Sequence, residues 1–279
     1  MERRELVPAV SPPRSRPSAG DRARLVRASP ARWRPVRASP ARWLAALAGA
    51  AFLTLPVAAG SASTSPSGDL SLSNEWNVST WAYAAAPAPI YARPDRRARR
   101  VDHVHLETED GFPEVYLLLS LHTDARAQAW VRLRIPGRPN GRTGWVLRPT
   151  LGAFHQTRWL LVIDRRRRAL TAYFAGHIRF RAPVGIGKPS SPTPPGRFYV
   201  RERFPINDRS SAYWPYAIGT SDYSTLTDWP GGGIVGIHGD FGEPQSIPGD
   251  PSHGCVRMRD SDIAWLAPRI TLGTPLRIE

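Results

Sequence analysis

The sequence predicts a mostly β fold, a β-sandwich with a second small β unit before it, carrying one short helix. Three observations predict it. From residue 77 to the end the chain is cut into short apolar or alternating runs, each bounded by Gly, Pro, Asn or Asp. Only one stretch, near Asp260–Arg269, has apolar positions at helical spacing, with Ile263, Leu266 and Ala267 on one face, Asp260 or Ser261 able to cap it and Pro268 near its end. Among 279 residues, 41% hydrophobic and 22% charged, there is one cysteine, Cys255, so no intramolecular disulfide forms and a packed core must hold the fold.

In chain order, residues 1–43 come first. They carry eleven arginines against Glu2, Glu5 and Asp21, which places more than half of the +15 net charge in this stretch. Val26–Trp33 recurs unchanged as Val36–Trp43, and so Pro- and Arg-rich a segment reads as a disordered basic leader. A start of translation at Val26 or Val36 would leave a compact export signal. Charge concentrated here argues against a nucleic-acid-binding face. Leu44–Ala59 is uncharged and apolar, short for a span of about 20 residues, and is followed by small residues. Residues 44–63 therefore read as a signal peptide or membrane anchor, so membrane contact is expected only through the N-terminal segment and the rest is expected outside the cytoplasm.

The stretch from Gly60 to about Asn74 is rich in Ser, Thr, Gly and Pro, and residues 64–76 read as a linker. Residues 77–152 show short strands: the continuous apolar run Val115–Leu119, the alternating run Trp130–Ile135, the turn Pro136–Gly141 containing Asn-Gly, and Gly144–Val146. This segment resembles a small SH3-like β-barrel. From residue 158 to 279 the pattern strengthens. Leu160–Ile163 and Ala169–Phe174 flank Asp164–Arg168 as a hairpin, whose four arginines read as a solvated turn. Ile178–Gly185 and Arg197–Val200 follow as strands.

The chemistry concentrates in Ile237-His238-Gly239 and Ser252-His253-Gly254-Cys255-Val256-Arg257. A lone thiol is either a buried hydrophobe or a nucleophile. Two nearby histidines favour the nucleophile, since an unperturbed thiol of pKa about 8.5 needs a base to become thiolate. Either His238 or His253 could supply that base, with Ser252 orienting one of them. A zinc site from His238, His253 and Cys255 is the competing use of the same residues; it would lack a fourth ligand and would quench the nucleophile. The aromatic stretch Pro205–Pro230, with Tyr213, Trp214, Tyr216, Tyr223 and Trp229, reads either as a cover over a peptide groove or as ordinary packing.

His238, thirteen intervening residues and then Ser-His-Gly-Cys-Val-Arg resemble the signature of the L,D-transpeptidase catalytic (YkuD-like) family. Pro192–Phe198, Gly232–Gly239 and Gly273–Ile278 extend the resemblance over residues 158–279. The preceding segment, with Arg138–Gly141 and Gly144–Val146, is similar to the companion region of actinobacterial members. The resemblance implies a β-sandwich enzyme that cross-links diaminopimelate residues of peptidoglycan stem peptides through a Cys255 thioester, releasing D-alanine. It further implies catalytic roles for Cys255, His238 and His253, and substrate contacts from Ser252, Gly254, Arg257, Gly239 and Tyr223. No metal or organic cofactor is implied, and carbapenem-type inhibitors are expected to acylate the thiol. An L,D-carboxypeptidase of the same fold and a non-catalytic wall-binding protein are the alternatives. Asp240, where such enzymes commonly carry Thr or a similar neutral residue, departs from the pattern.

Overall fold

Alternation and turn chemistry produce two β-sheets in the computed structural model, which describes residues 69–227 and 230–279. The basic leader, its tandem repeat and the apolar segment lie outside the described residues. The first sheet comprises β1 (Leu70–Ser71), β2 (Ser79–Ala84), β3 (Pro89–Tyr91), β4 (Arg100–His103), β5 (Val115–Thr123), β6 (Ala129–Arg134), β7 (Thr143–Leu147) and β8 (Leu151–Thr157). Its order is β4-β3-β7-β6-β5-β2-β8, with β1 added on β5. Residues 70–76, read as linker, are therefore structured in part. β1 pairs with β5, and the buried Glu75 receives the Arg134 guanidinium at 2.5 Å.

The second sheet comprises β9 (Trp159–Asp164), β10 (Ala169–Phe174), β11 (His177–Pro183), β12 (Gly185–Gly187), β13 (Gly196–Pro205), β14 (Tyr216–Tyr223), β15 (Ile234–His238), β16 (Gly249–Ser252), β17 (Val256–Arg257) and β18 (Pro275–Ile278). Its order is β11-β10-β9-β18-β13-β14-β15-β17-β12-β16. One core joins both ends of this path, with Leu161, Leu170 and Leu276 meeting Ile218, Ile237, Val256 and Met258. The long β13 is the shared strand on which the sheet folds over into a sandwich. The helix α1 (Asp260–Leu266) seals that core with Ile263 and Leu266. It is three residues shorter than the sequence suggests, ending before Pro268, which has no amide hydrogen to donate. Asp260 does not cap it by a side-chain bond; its Oδ1 accepts the Asp240 amide at 3.1 Å instead.

β5 and β13 lie where the two sheets meet. Tyr116 and Leu118 of β5 enter the core of the first sheet, whereas Val115 and Leu117 pack with Trp81 against Tyr199 of β13. Burial on both faces is why this strand reads as an unbroken apolar run rather than an alternation. On β13, Phe198 and Val200 face the sandwich core while Tyr199 and Arg201 face the first sheet. The Tyr199 hydroxyl donates to the Val115 carbonyl at 3.1 Å, and Arg201 Nε donates to buried Glu114 at 3.0 Å.

Candidate functional site

Cys255 sits in the turn between β16 and β17, and its neighbours build that turn. The Ser252 hydroxyl donates to the Cys255 carbonyl at 2.5 Å and accepts the Gly254 amide at 3.1 Å, so one oxygen ties both limbs. Gly254 adopts φ +127°, which a side chain would disfavour, and an added Cβ would stand 3.1 Å from Ser224 Cβ. The connection from β12 to β13 holds the outer side. There the Ser191 hydroxyl donates to the His253 carbonyl at 2.7 Å and the Thr193 hydroxyl to the Gly254 carbonyl at 2.8 Å. These bonds fix the orientation of the peptide planes beside the sulfur.

Sheet register brings the histidine to the thiol. β15 runs parallel to β17 with Ile237 opposite Val256 and His238 opposite Arg257, which sets Cys255 beside Gly236. The Gly236 amide donates to Sγ at 3.4 Å. Strand alternation places His238, two residues on, on the same face as Gly236. A cavity of about 220 Å³ is lined by Cys255, His238, His253, Ser252 and Arg257, together with Ala212, Tyr213 and Phe241.

The two histidines are not equivalent. His238 is buried, and because a carbonyl only accepts, its Nδ1 must carry the proton it donates to the Gly239 oxygen at 2.9 Å. Tyr213 packs on the imidazole edge-to-face at 5.0 Å. Burial chiefly lowers the His238 pKa to about 4, and the Arg257 charge adds to this while the Gly239 and Ala212 carbonyls oppose it. His253 is exposed, and the Lys188 ammonium donates to its Nε2 at 2.7 Å, occupying that lone pair. Burial pushes the Cys255 thiol up, against the pull of the Gly236 amide and the Arg257 charge. At neutral pH the resting pair is therefore a thiol and a neutral imidazole rather than a preformed ion pair.

Arg257 lies along the cavity with Nη1 on Glu243 at 2.7 Å, its guanidinium 5.2 Å from the Phe241 ring centre. Its Nε is buried and lacks a partner. Gly239 does not line the cavity; it lets the Trp214 carbonyl approach to where a Cβ would stand. Tyr223 does not line this cavity either. Its ring is buried at the meeting of the two sheets, where the hydroxyl accepts from Arg201 at 2.9 Å and donates to Glu109. Tyr213 holds the aromatic position at the thiol. Asp240 is buried in the turn after β15, with Oδ1 on the Gly242 amide at 2.9 Å.

The thiol turn, the strand bearing His238 and the hydroxyls that brace them all lie in one continuous segment. Residues 158–278 match the L,D-transpeptidase catalytic domain (YkuD) family model. The chain is 29% identical over 115 residues to L,D-transpeptidase 1 of Mycobacterium tuberculosis, covering 37% of this chain and 43% of that one. It is 31% identical over 113 residues to YkuD of Bacillus subtilis, covering 40% and 60% respectively. The chain thus spans less than two thirds of the length of either relative. Among solved structures, an L,D-transpeptidase from Mycobacterium tuberculosis aligns over 71% of this chain and 98% of its own at 14% identity, with a TM-score of 0.39.

Within the matched segment, sequence reasoning missed Lys188 and Ser191, which no spacing rule ties to a turn more than 60 residues away, and also Ala212 and Phe241, which line the cavity from outside the motif. Thr193 was visible as part of Pro-Thr-Pro-Pro-Gly, though not as the brace of Gly254. Trp229 lies outside the described residues.

Proposed function

We propose that the chain is a peptidoglycan L,D-transpeptidase acting outside the cytoplasm. The observation that carries this reading is Cys255 in its Ser-His-Gly-Cys turn, in one cavity with His238 on the adjoining strand. In the reaction, Sγ attacks the diaminopimelate carbonyl of a donor tetrapeptide. His238 takes the thiol proton as the C–S bond forms and returns it to the departing D-alanine nitrogen as the C–N bond breaks. The side-chain amine of diaminopimelate on an acceptor stem then attacks the thioester, the new amide forms, and the sulfur leaves and recovers a proton.

Neutral partners suit this order of events, because the proton moves only when an acyl group is present to accept the sulfur. Backbone amides of the His253–Cys255 turn stabilise the oxyanion, an effect of roughly 3 kcal/mol per donor in other acyl-transfer enzymes. His253 contributes through this backbone and its Lys188 bond. The Arg257 guanidinium, on the wall of the same cavity, suits a substrate carboxylate. The first sheet is read as an SH3-like companion module, and residues 44–63 as the export signal or anchor that delivers the enzyme to the wall.

The deciding experiment incubates the protein with diaminopimelate tetrapeptide muropeptides and weighs the products. Cross-linked dimer is expected. Tripeptide alone would make it an L,D-carboxypeptidase, and unchanged substrate would overturn an enzymatic reading. Cys255→Ala is expected to abolish turnover while circular dichroism stays native, and a carbapenem is expected to add once to the intact protein at Cys255.

A further inference from the structure

The turn between β6 and β7 belongs to the first sheet, outside residues 158–278, yet it holds a connection that packs against the thiol turn. Arg138 donates to four carbonyl contacts on the connection between β14 and β15. Its Nε and Nη2 lie 2.9 and 2.7 Å from the Ser224 oxygen, Nη2 lies 3.2 Å from the Leu226 oxygen, and Nη1 lies 2.9 Å from the Gly232 oxygen. One guanidinium thus clamps both limbs of that connection. The limbs are also tied to each other by the Ser224 amide on the Gly233 carbonyl at 2.9 Å.

Asn140, two residues along the same turn, behaves as an added strand residue. Its Nδ2 donates to the Tyr223 carbonyl at 2.9 Å and its Oδ1 accepts the Tyr223 amide at 3.1 Å, with a further bond to Asp222 at 2.7 Å. The clamped limbs border the nucleophile. Ser224 faces Gly254, and the second limb enters β15, whose Ile234 carbonyl and Gly236 amide stand 4.0 and 3.4 Å from Sγ.

We infer that Arg138 and Asn140 are positioning residues of the thiol site, so that the first sheet braces one side of the catalytic centre. They act through Ser224 and Tyr223, not on the acyl group directly. A planar fork with five donors is the side chain that can satisfy carbonyls on two limbs at once, which a lysine cannot do in one geometry. The thiol itself is held independently, by the pairing of β15 with β17. Loss of the clamp should therefore disturb how an acyl donor is seated more than the sulfur's intrinsic reactivity.

This inference rests on the acyl-transfer reading above, and its test separates the two. Full-length wild type, Arg138→Ala, Arg138→Lys, Asn140→Ser and Arg142→Ala are each treated with a carbapenem and, separately, with iodoacetamide, both followed by intact mass. Carbapenem acylation is expected to slow about tenfold in Arg138→Ala and less in Asn140→Ser, with partial recovery in Arg138→Lys. Iodoacetamide alkylation should stay within about twofold. Arg142→Ala, which alters the same turn without touching the connection, should match wild type.

Equal acylation rates in wild type and folded Arg138→Ala overturn the inference, as does an equal slowing of both reagents. If Arg138→Ala fails to fold, the comparison of Arg138→Lys and Asn140→Ser with wild type decides on the same criteria. Wild type that no carbapenem acylates would instead refute the underlying activity.

Discussion

The protonation states at the site yield two opposite pH dependences. His238 is held neutral by burial, with its pKa lowered to about 4, so its base form persists well below the ordinary imidazole range. Acylation by a carbapenem, followed against pH, should fall on the acid side near pH 4; a limb near 6.5 would mean that the folded protein does not depress this histidine. Asp222 is the reverse case. It is fully buried, Asn140 serves Oδ1, Oδ2 has no partner, and burial raises its pKa to about 8. A raised carboxyl pKa stabilises the fold below the unfolded value near 4, and this is lost as pH rises toward 8. Asp222→Asn should therefore unfold at the same temperature as wild type at pH 4 but be more stable at pH 8, by on the order of 3 kcal/mol. At this scale the sequence was most legible: Cys255, His238, Ser252 and Arg257 meet as the motif spacing suggests. The placement of Tyr223 was not legible, because an aromatic beside a glycine-rich connection has the same composition whether it faces a groove or a neighbouring sheet. Asp240 stood out only as a departure from the family pattern, and its carboxylate closes a turn.

Elements were legible wherever one periodicity governed them. The hairpin of β9 and β10 forms where the sequence suggests, with Leu161 opposite Ala172 and Ile163 opposite Leu170, although Asp164 pairs with Ala169 and belongs to the strand rather than the turn. Boundaries were lost where a partner distant in sequence decides them, as for β1, which exists because β5 offers an edge. The connection between β12 and β13 shows how much an irregular element carries. Thr193 accepts the Gly187 amide at 2.9 Å and donates to the Gly254 carbonyl at 2.8 Å, all of it buried. Thr193→Val keeps the shape and strands both partners, so a loss of about 1–3 kcal/mol in denaturant unfolding is expected. Acylation of Cys255 should slow alongside it; an unchanged rate would show that the turn keeps its form without this brace.

Across the whole molecule, the meeting of the two sheets is held by groups that are costly to leave unpaired. Arg201 and Glu114 are both buried, and Tyr223 and Glu109 join them. Removing one member strands the other charge, so Glu114→Ala should destabilise by about 3–5 kcal/mol, read by denaturant titration. A loss below 1 kcal/mol would mean that water reaches the pair. No local signal announces this pair, because its partners lie 87 residues apart and each is an ordinary charged residue in its own strand. The apolar part of the same contact suggests how the chain would respond to being cut. Cleavage after Thr157 would divide it where the family match begins, but each fragment would then bare half of the patch formed by Trp81, Leu117 and Tyr199. Two such surfaces have every reason to stay together, so a nicked chain should travel as a complementing pair: the start of the family match is a border of kinship, and not one at which the molecule comes apart.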